Sequence, residues 1–411
     1  MNIYDMMQET KPKVGISNYS IRIMANSGKG KSPLYSYFAK EMSKRYYDGK
    51  TVCALLPLED RYDHIDGLMV IRPVMKNKMN QVIKDENGKP KLKKTIENWE
   101  DLKSIIDMLV DAKLNIPDFP IERVCIDTTT KLEMLAQAQV VNLNFQENGK
   151  LQDFNECFGS FGRPHAKAIE ITNIELNRLR SVGYIIDQTV QTRIKSQVKP
   201  ITGQEYHINS ADSGEGFDGK VFLQNADISF YIVEEMVVNQ TGTTKQGKVL
   251  NGIHTQGKVL MLDSDGEYKG CKSPFPNTPT SIPADDFEKA TKQYFDLFED
   301  RMSKLAGISH DKYEEKSQEE KVSTLNLAHL NIEMQKEEQA INERKNTIQK
   351  FIEHYDNLLK SLPSENIEQC NQYFHSLMVN SNTNNMLDAL MAQTDETLKM
   401  IYDNFGYKIG A

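Results

Sequence analysis

No stretch of the 411-residue chain approaches the ~20 consecutive apolar residues that span a bilayer, and the amino terminus has no signal-peptide apolar core. The expectation is a soluble cytoplasmic protein without a membrane partner. Cysteine is scarce: Cys53, Cys125, Cys157, Cys271 and Cys370 form no C-x-x-C pair and no regular spacing, which excludes a disulfide scaffold and suits a reducing compartment. The eight histidines are scattered without metal-ligand spacing, so a zinc site is not expected. No G-x-S-x-G or Cys/His nucleophile signature is present. Basic excess is also missing. With 50 basic and 58 acidic residues the net charge is -8, which excludes a generally basic nucleic-acid binder but leaves room for a local basic groove. Apolar residues at 39% and charged residues at 26% indicate a globular chain, long enough for two or three domains.

Against these absences stands one dense motif. Ala25-Asn26-Ser27-Gly28-Lys29-Gly30-Lys31-Ser32 follows the apolar run Ile21 to Met24 and leads into Tyr35, Phe38 and Met42 at helical spacing. It is nearly G-x-x-x-x-G-K-[ST], with Ala25 in place of the first glycine. In such a loop backbone N–H groups wrap the phosphates of a nucleotide, the lysine neutralises charge and the Ser/Thr hydroxyl ligates Mg²⁺. The following helix points its positive end at the same anion. Alanine fits the first position only where φ stays negative. A nucleoside triphosphate with Mg²⁺ is therefore the expected ligand, with Asn26 through Ser32 as the cradle and Ser32 on the metal. The strand Val124-Cys125-Ile126-Asp127 adds an acidic residue placed to hold Mg²⁺ through water. Glu59, at the end of the strand that begins Thr51-Val52-Cys53, supplies a carboxylate to polarise the attacking water.

Strand and helix patterns alternate through residue 190, predicting a mostly parallel sheet covered on both faces. Residues 76–94 read as an exposed hairpin or insertion, 144–165 as a loop, and 195–219 as a polar, flexible segment. Gln-Gly-Lys-Val-Leu occurs at 246–250 and 256–260, which reads as adjacent strands of a β-meander. The proline-rich stretch Ser273 to Pro283 suggests a domain boundary. Expected divisions are thus an extension at 1–14, an ATPase core at 15–282 and a helical domain at 283–411. In that last part Leu327, Met334, Ile341, Ile348, Tyr355 and Leu362 recur every seventh residue, with Leu330, Phe351 and Leu358 between them and Glu337 and Arg344 interrupting. This predicts an interrupted coiled-coil helix ending at Pro363, then two shorter amphipathic helices. The helices suit either an internal hairpin or an arm for oligomerisation or partner docking.

Cys53-Ala54-Leu55-Leu56-Pro57-Leu58-Glu59, Val124-Cys125-Ile126-Asp127-Thr128 and Tyr184-Ile185-Ile186-Asp187-Gln188 together resemble the three strands that build the ATP site of RecA-like ATPases. The order and spacing match across 15–275, and the short RecA-like ATPases of bacteriophages, active in single-strand annealing and recombination, are the most similar group. The resemblance implies a RecA-like core, Gln188 as the sensor of the γ-phosphate, and ATP sites between subunits of a ring or filament. Lys272, in Glu267 to Phe275, matches the cation that reaches a neighbouring subunit's ATP, although Pro274 stands where a second cation is common. Single-stranded DNA is the implied partner, bound by loops at 144–165 (Phe161, Arg163) and 192–217 (Arg193, Lys195, Lys199, Tyr206). Phage origin would place the protein in the host cytoplasm. Two rival readings are a helicase- or loader-type ATPase and a nucleotide-binding structural protein with little turnover.

Overall fold

The computed structural model of the chain describes residues 13–407 except 61, 63–64, 67, 80, 199–204, 244–248, 264–269 and 310–311. Contacts divide it into two units, Met1–His329 and Leu330–Ala411. The first unit begins with β1 (Ile21–Ala25), whose five residues are all buried, as a strand covered on both faces requires. There follow α1 (Lys31–Tyr46), β2 (Cys53–Pro57), the short β3 (Met69–Val70), α2 (Trp99–Asn115), β4 (Arg123–Asp127), α3 (Thr129–Asn148), α4 (Arg163–Ser181), β5 (Ile185–Val198), β6 (Glu205–Ala211), the single turn α5 (Glu215–Phe217), β7 (Ile228–Thr243), β8 (Val249–Met261), β9 (Ser281–Pro283) and α6 (Phe287–Ala306). The strands form one nine-stranded sheet in the order β3-β2-β4-β5-β1-β7-β8-β9, with β6 beside β5. Strands β3, β2, β4, β5, β1 and β7 are parallel; β6, β8 and β9 join antiparallel. An α/β fold with a mostly parallel, mixed sheet is therefore what this chain adopts.

Local chemistry sets the helix ends. Asn98 caps α2 by accepting from the Asp101 amide, and Asp286 caps α6 by accepting from the Glu288 and Lys289 amides. Gly149 ends α3 in the left-handed region at φ 67°. Side-chain alternation then divides the sheet's two faces. On β1, Ile21, Ile23 and Ala25 pack with Leu34 and Phe38 of α1, whereas Met24 joins Val190, Ala211 and Tyr231 on the other face.

A buried ion pair pins the amino ends of the strands. Arg123 and Asp187 are wholly buried, and Arg123 donates to both Asp187 oxygens at 2.9 and 2.6 Å and to the carbonyls of Ser17 and Tyr19. Asp187 also accepts from Tyr35 Oη and from the Ile21 amide. Burial alone would lower the Arg123 pKa, but Asp187 outweighs it and the guanidinium is held charged, its pKa raised.

Several expectations shift. The Gln-Gly-Lys-Val-Leu copies are not on adjacent strands: Val249 and Leu250 lie in β8 with 256–260, and 246–248 fall outside the described residues. The meander instead comes from β7, β8 and β9. Much of 195–219 is ordered as the β5–β6 hairpin, because β5 runs on past the sheet for seven further pairs. Segment 76–94 does form an exposed antiparallel excursion, with bridges Val74–Leu92, Lys76–Val82 and Lys84–Pro90.

The proline-rich stretch is not the division between units. Helix α6 lies beyond it, yet Ala290, Tyr294, Phe295, Phe298 and Met302 are buried in the same core as β1 and α1. Phe230 and Tyr294 meet edge to face with centroids 4.6 Å apart, and Phe38 packs on Phe295. Each such ring, moved out of water, contributes about 1.5–3 kcal/mol, so the sheet holds α6 firmly. The expected boundary at 282/283 therefore moves to 329/330, inside α7 (Tyr313–Leu359).

The second unit is helical: the carboxyl-terminal part of α7, then α8 (Ser364–Asn380), a six-residue α9 (Met386–Met391) and α10 (Asp395–Asn404). The heptad stripe splits here. Ile348, Phe351 and Tyr355 are buried against Phe374, Leu390, Leu398 and Ile401, whereas Leu330, Met334 and Ile341 are exposed. No helix among the described residues is long and apolar enough to cross a membrane.

Candidate functional site

The carboxyl ends of β1, β5, β4 and β2 bring the motif residues together. In register, Ala25 lies opposite Gln191, Asp127 opposite Thr189, and Pro57 opposite Asp127. Strand β5 thus separates the glycine-lysine loop from Asp127, and its side chains fill the gap. Such a crevice outside the carboxyl ends of parallel strands is where ligands settle in open α/β sheets.

The loop itself is built around two glycines. Gly28 and Gly30 have φ of 77° and 96°, a region open to glycine, and a Cβ on Gly30 would lie 2.6 Å from the Phe287 ring of α6. Ala25 is the last residue of β1 and keeps a negative φ, so alanine meets no penalty there. Gly30 caps α1, which puts Lys31 and Ser32 in its first turn. Lys31 is buried, and its ammonium donates to the carbonyls of Ala25 and Asn26, both at 3.2 Å. Burial lowers its pKa, opposed by the charges of Asp127 and Glu59. Lys29 points away from this cluster and pairs with Glu234 of β7 at 2.5 Å. Asn26 accepts from Thr192 of β5 at 2.9 Å.

Asp127 is the hub. One of its oxygens accepts from Ser32 at 2.5 Å and the other from Thr189. Burial raises its pKa, and the two hydroxyl donors oppose that rise. Glu59 stands beside it: it accepts from Gln191 at 2.5 Å and from Thr128 at 3.2 Å, and its amide donates to Tyr62 Oη, which in turn donates to the Asp127 carbonyl. The Asp127–Thr128 peptide is cis.

The 26–32 loop, apart from the Lys29 side chain, thus stands with Glu59 and Asp127 in one cluster; Gln188 is not in it. Its side chain is buried on the opposite face, accepting from Arg22 at 3.0 Å and donating to the Phe222 carbonyl. The reason is strand alternation: residues 187, 189 and 191 of β5 face α1, and 188 and 190 face away. Gln191, not Gln188, is the β5 glutamine that meets Glu59. Nothing in the sequence marked it except its parity with Asp187, once β5 is known to continue beyond Gln188.

Lys272 is also elsewhere. It pairs with Ser229 at the amino end of β7, and its ammonium donates to the carbonyls of Leu223 and Ala226 of its own chain. It therefore serves as a cap for that turn and does not reach outward. The residues expected to meet DNA are dispersed. Phe161 is 99% exposed, on a turn where Phe158, Gly159, Ser160, Phe161 and Gly162 all have positive φ. Non-glycine residues in that region cost about 1–3 kcal/mol each, strain of the sort that accompanies binding loops. Arg163 begins α4 and donates to the Phe158 carbonyl. Arg193 pairs with Asp212 across the base of the hairpin, Lys195 lies opposite Ile208, and Tyr206 lies opposite Gln197. Lys199 falls outside the described residues.

The oxygen pair of Ser32 and Asp127 suits a hard cation such as Mg²⁺, which takes one or two protein oxygens and completes its shell with phosphate and water. No group of three or more His, Cys, Asp or Glu side chains among the described residues is arranged to enclose a metal by itself. No protein-family model matches the sequence, and no curated protein matches it.

Proposed function

We propose that the first unit is a RecA-like ATPase that binds Mg·ATP on the 26–32 loop and assembles on single-stranded DNA in phage recombination or replication. The observation that carries this reading is the convergence of Lys31, Ser32, Asp127 and Glu59 at the carboxyl ends of neighbouring strands, with Ser32 and Asp127 in direct contact. A positive ammonium, a hydroxyl–carboxylate pair and a second carboxylate are the parts that phosphoryl transfer to water requires. Bound Mg²⁺ would neutralise charge developing on the phosphates.

In this reading the first turn of α1 and the loop amides receive the phosphates, and the Lys31 ammonium exchanges the Ala25 and Asn26 carbonyls for phosphate oxygens. Ser32 and Asp127 hold the metal, Asp127 through water. Glu59 orients the attacking water and accepts its proton. Gln191 bonds Glu59 and is followed by Thr192, which bonds Asn26, so the root of the β5–β6 hairpin touches both sides of the site. A shift of Gln191 toward the γ-phosphate would move the hairpin, which links ATP to DNA contact. Phe161, Arg163, Arg193, Lys195, Lys199 and Tyr206 remain the proposed DNA residues. Assembly as a ring or filament belongs to the same proposal, with the exposed half of the α7 stripe available to a partner.

The test is ATP turnover with and without single-stranded DNA. DNA-stimulated hydrolysis that disappears in Lys31→Ala and Glu59→Gln supports the reading. Binding without hydrolysis in the wild type would point to a nucleotide-stabilised structural protein instead.

A further inference from the structure

Residues 74–94 hold seven lysines against two carboxylates, Asp85 and Glu86, in a chain whose net charge is -8. Basic charge is therefore segregated here, and the remainder of the chain is more acidic still. Backbone bonds make the segment an ordered arm. Its stem joins the Met75 amide to the Lys91 carbonyl and the Lys93 amide to the Pro73 carbonyl, both at 2.8 Å. Above the stem two hairpins close, through the bridges Lys76–Val82 and Lys84–Pro90. Asn77 accepts from the Met79 and Gln81 amides at one tip. Asp85 accepts from the Asn87 and Lys89 amides at the other, which ties its charge to the turn. Both roots are fixed to the carboxyl end of β2, since the Ile71 amide donates to Leu55 at 3.0 Å and the Ile96 amide to Pro57 at 2.8 Å. The arm thus leaves the sheet at the same edge as the 26–32 loop, Asp127 and the β5–β6 hairpin.

Lys93 alone of the seven is neutralised, by Glu97 at 3.3 Å and Asp101 at 2.8 Å, and so staples the stem to the start of α2. Lys76, Lys78, Lys84, Lys89, Lys91 and Lys94 are exposed, and none of their ammonium groups is in an ion pair among the described residues. One or two lysines suffice to blunt an exposed strand edge. Six on one arm repel one another, and a polyanion would relieve that repulsion. By strand alternation Lys84 shares a side with Pro90, whereas Lys89 and Lys91 point to the opposite side. The exposed apolar residues are divided too: Val74 bridges Leu92, so alternation turns Met75 to the other side. The arm therefore has no single apolar face to bury in a bilayer. It also has no aromatic residue on which a base could stack. Cations on both sides with nothing to read bases suit a chain of phosphates. We propose that this arm binds the phosphodiester backbone of nucleic acid, duplex or single-stranded, without regard to sequence. Such contact shares the nucleic-acid partner proposed above and requires no ATP.

The full chain is titrated, without nucleotide, into labelled mixed-sequence oligodeoxynucleotides, one single-stranded and one duplex, at about 50–200 mM salt, and anisotropy is read. The wild type should bind. Lys78→Gln, Lys84→Gln, Lys89→Gln and Lys91→Gln together should lower the slope of log affinity against log salt by about 3, and weaken binding at low salt by about tenfold or more. Arginine at the same four positions should preserve both. Glutamine at Lys44, Lys50, Lys289 and Lys304, exposed lysines elsewhere, makes the same charge change and should leave both unaltered. Thermal unfolding read from Trp99, the single tryptophan, checks that each variant is folded. The oligonucleotide whose binding falls identifies the form of nucleic acid the arm holds. No binding by the wild type, or equal loss in the two glutamine variants, overturns the assignment. Binding that needs Mg·ATP and is indifferent to the arm also overturns it, while leaving the ATPase proposal standing. Capture by phosphatidylserine–phosphatidylcholine vesicles, with no response to either oligonucleotide, overturns it in favour of a membrane surface.

Discussion

Replacing Asp187 with asparagine removes the negative half of an ion pair that has no solvent exposure on either side. Arg123 would keep its two backbone acceptors, Ser17 and Tyr19, but lose the carboxylate that it bonds through two nitrogens. An uncompensated buried charge of this kind costs about 3–5 kcal/mol. With an m-value of about 3 kcal/mol/M in urea, the unfolding midpoint should fall by about 1 M or more. Trp99 is buried in α2 of the same unit, so its fluorescence follows this unfolding directly. The pairing is isolated by a cycle with Arg123→Met. The double variant should lose clearly less than the sum of the singles, because neither partner is then left charged and alone. A loss below about 1 kcal/mol for Asp187→Asn, or simple additivity, would refute the view that this pair organises the sheet.

Four further expectations follow from the same geometry. Gln191→Ala should cut DNA-stimulated ATP turnover by about tenfold or more, whereas Gln188→Leu should leave the chemistry intact and act on stability through Arg22. Gly30→Ala must place a methyl group in the left-handed region and against Phe287, so a loss of about 1–2 kcal/mol by Trp99-monitored unfolding is expected, with part recovered by adding Phe287→Ala. Burial pushes the Cys53 thiol up to about 12 and raises Cys125 and Cys157 as well; at pH 8 a thiol of that pKa is only about one part in 10⁴ thiolate, and Cys271 is shielded. A maleimide should therefore label half-buried Cys370 alone in the native protein and all five cysteines after denaturation, as counted by mass spectrometry. Phe161→Ala should weaken single-stranded DNA binding by about 1–3 kcal/mol in a fluorescence-anisotropy titration without changing stability, since the ring is fully exposed.

What was legible in the sequence is what depends on local pattern. The glycine-lysine loop, Glu59 and Asp127 each sit at the end of an apolar run, and parallel pairing places all such ends on one edge of the sheet. Ala25 suits its backbone position for a local reason too, its negative φ. What stayed hidden depends on where strands stop and on what packs from far along the chain. Strand β5 does not end at Gln188, since the hairpin with β6 extends it, and one face change exchanges Gln188 for Gln191. The proline-rich stretch looks like a linker, yet the aromatic face of α6 returns to the sheet. The α7 heptads are continuous in sequence, while which of them are buried depends on where α8 to α10 pack, and no local pattern announces that. Lys272 is a surface-type residue by sequence; only the fold shows the carbonyls it caps.

Asn26 to Ser32, with Asp127, are proposed as the site for Mg·ATP. Equilibrium binding of ATP to the full chain, by calorimetry with and without magnesium, tests it most directly. The wild type should bind in a magnesium-dependent way, and Lys31→Ala, which removes the buried ammonium, should weaken that binding by about a hundredfold. Absence of ATP binding to the wild type, or binding indifferent to Lys31, would contradict it.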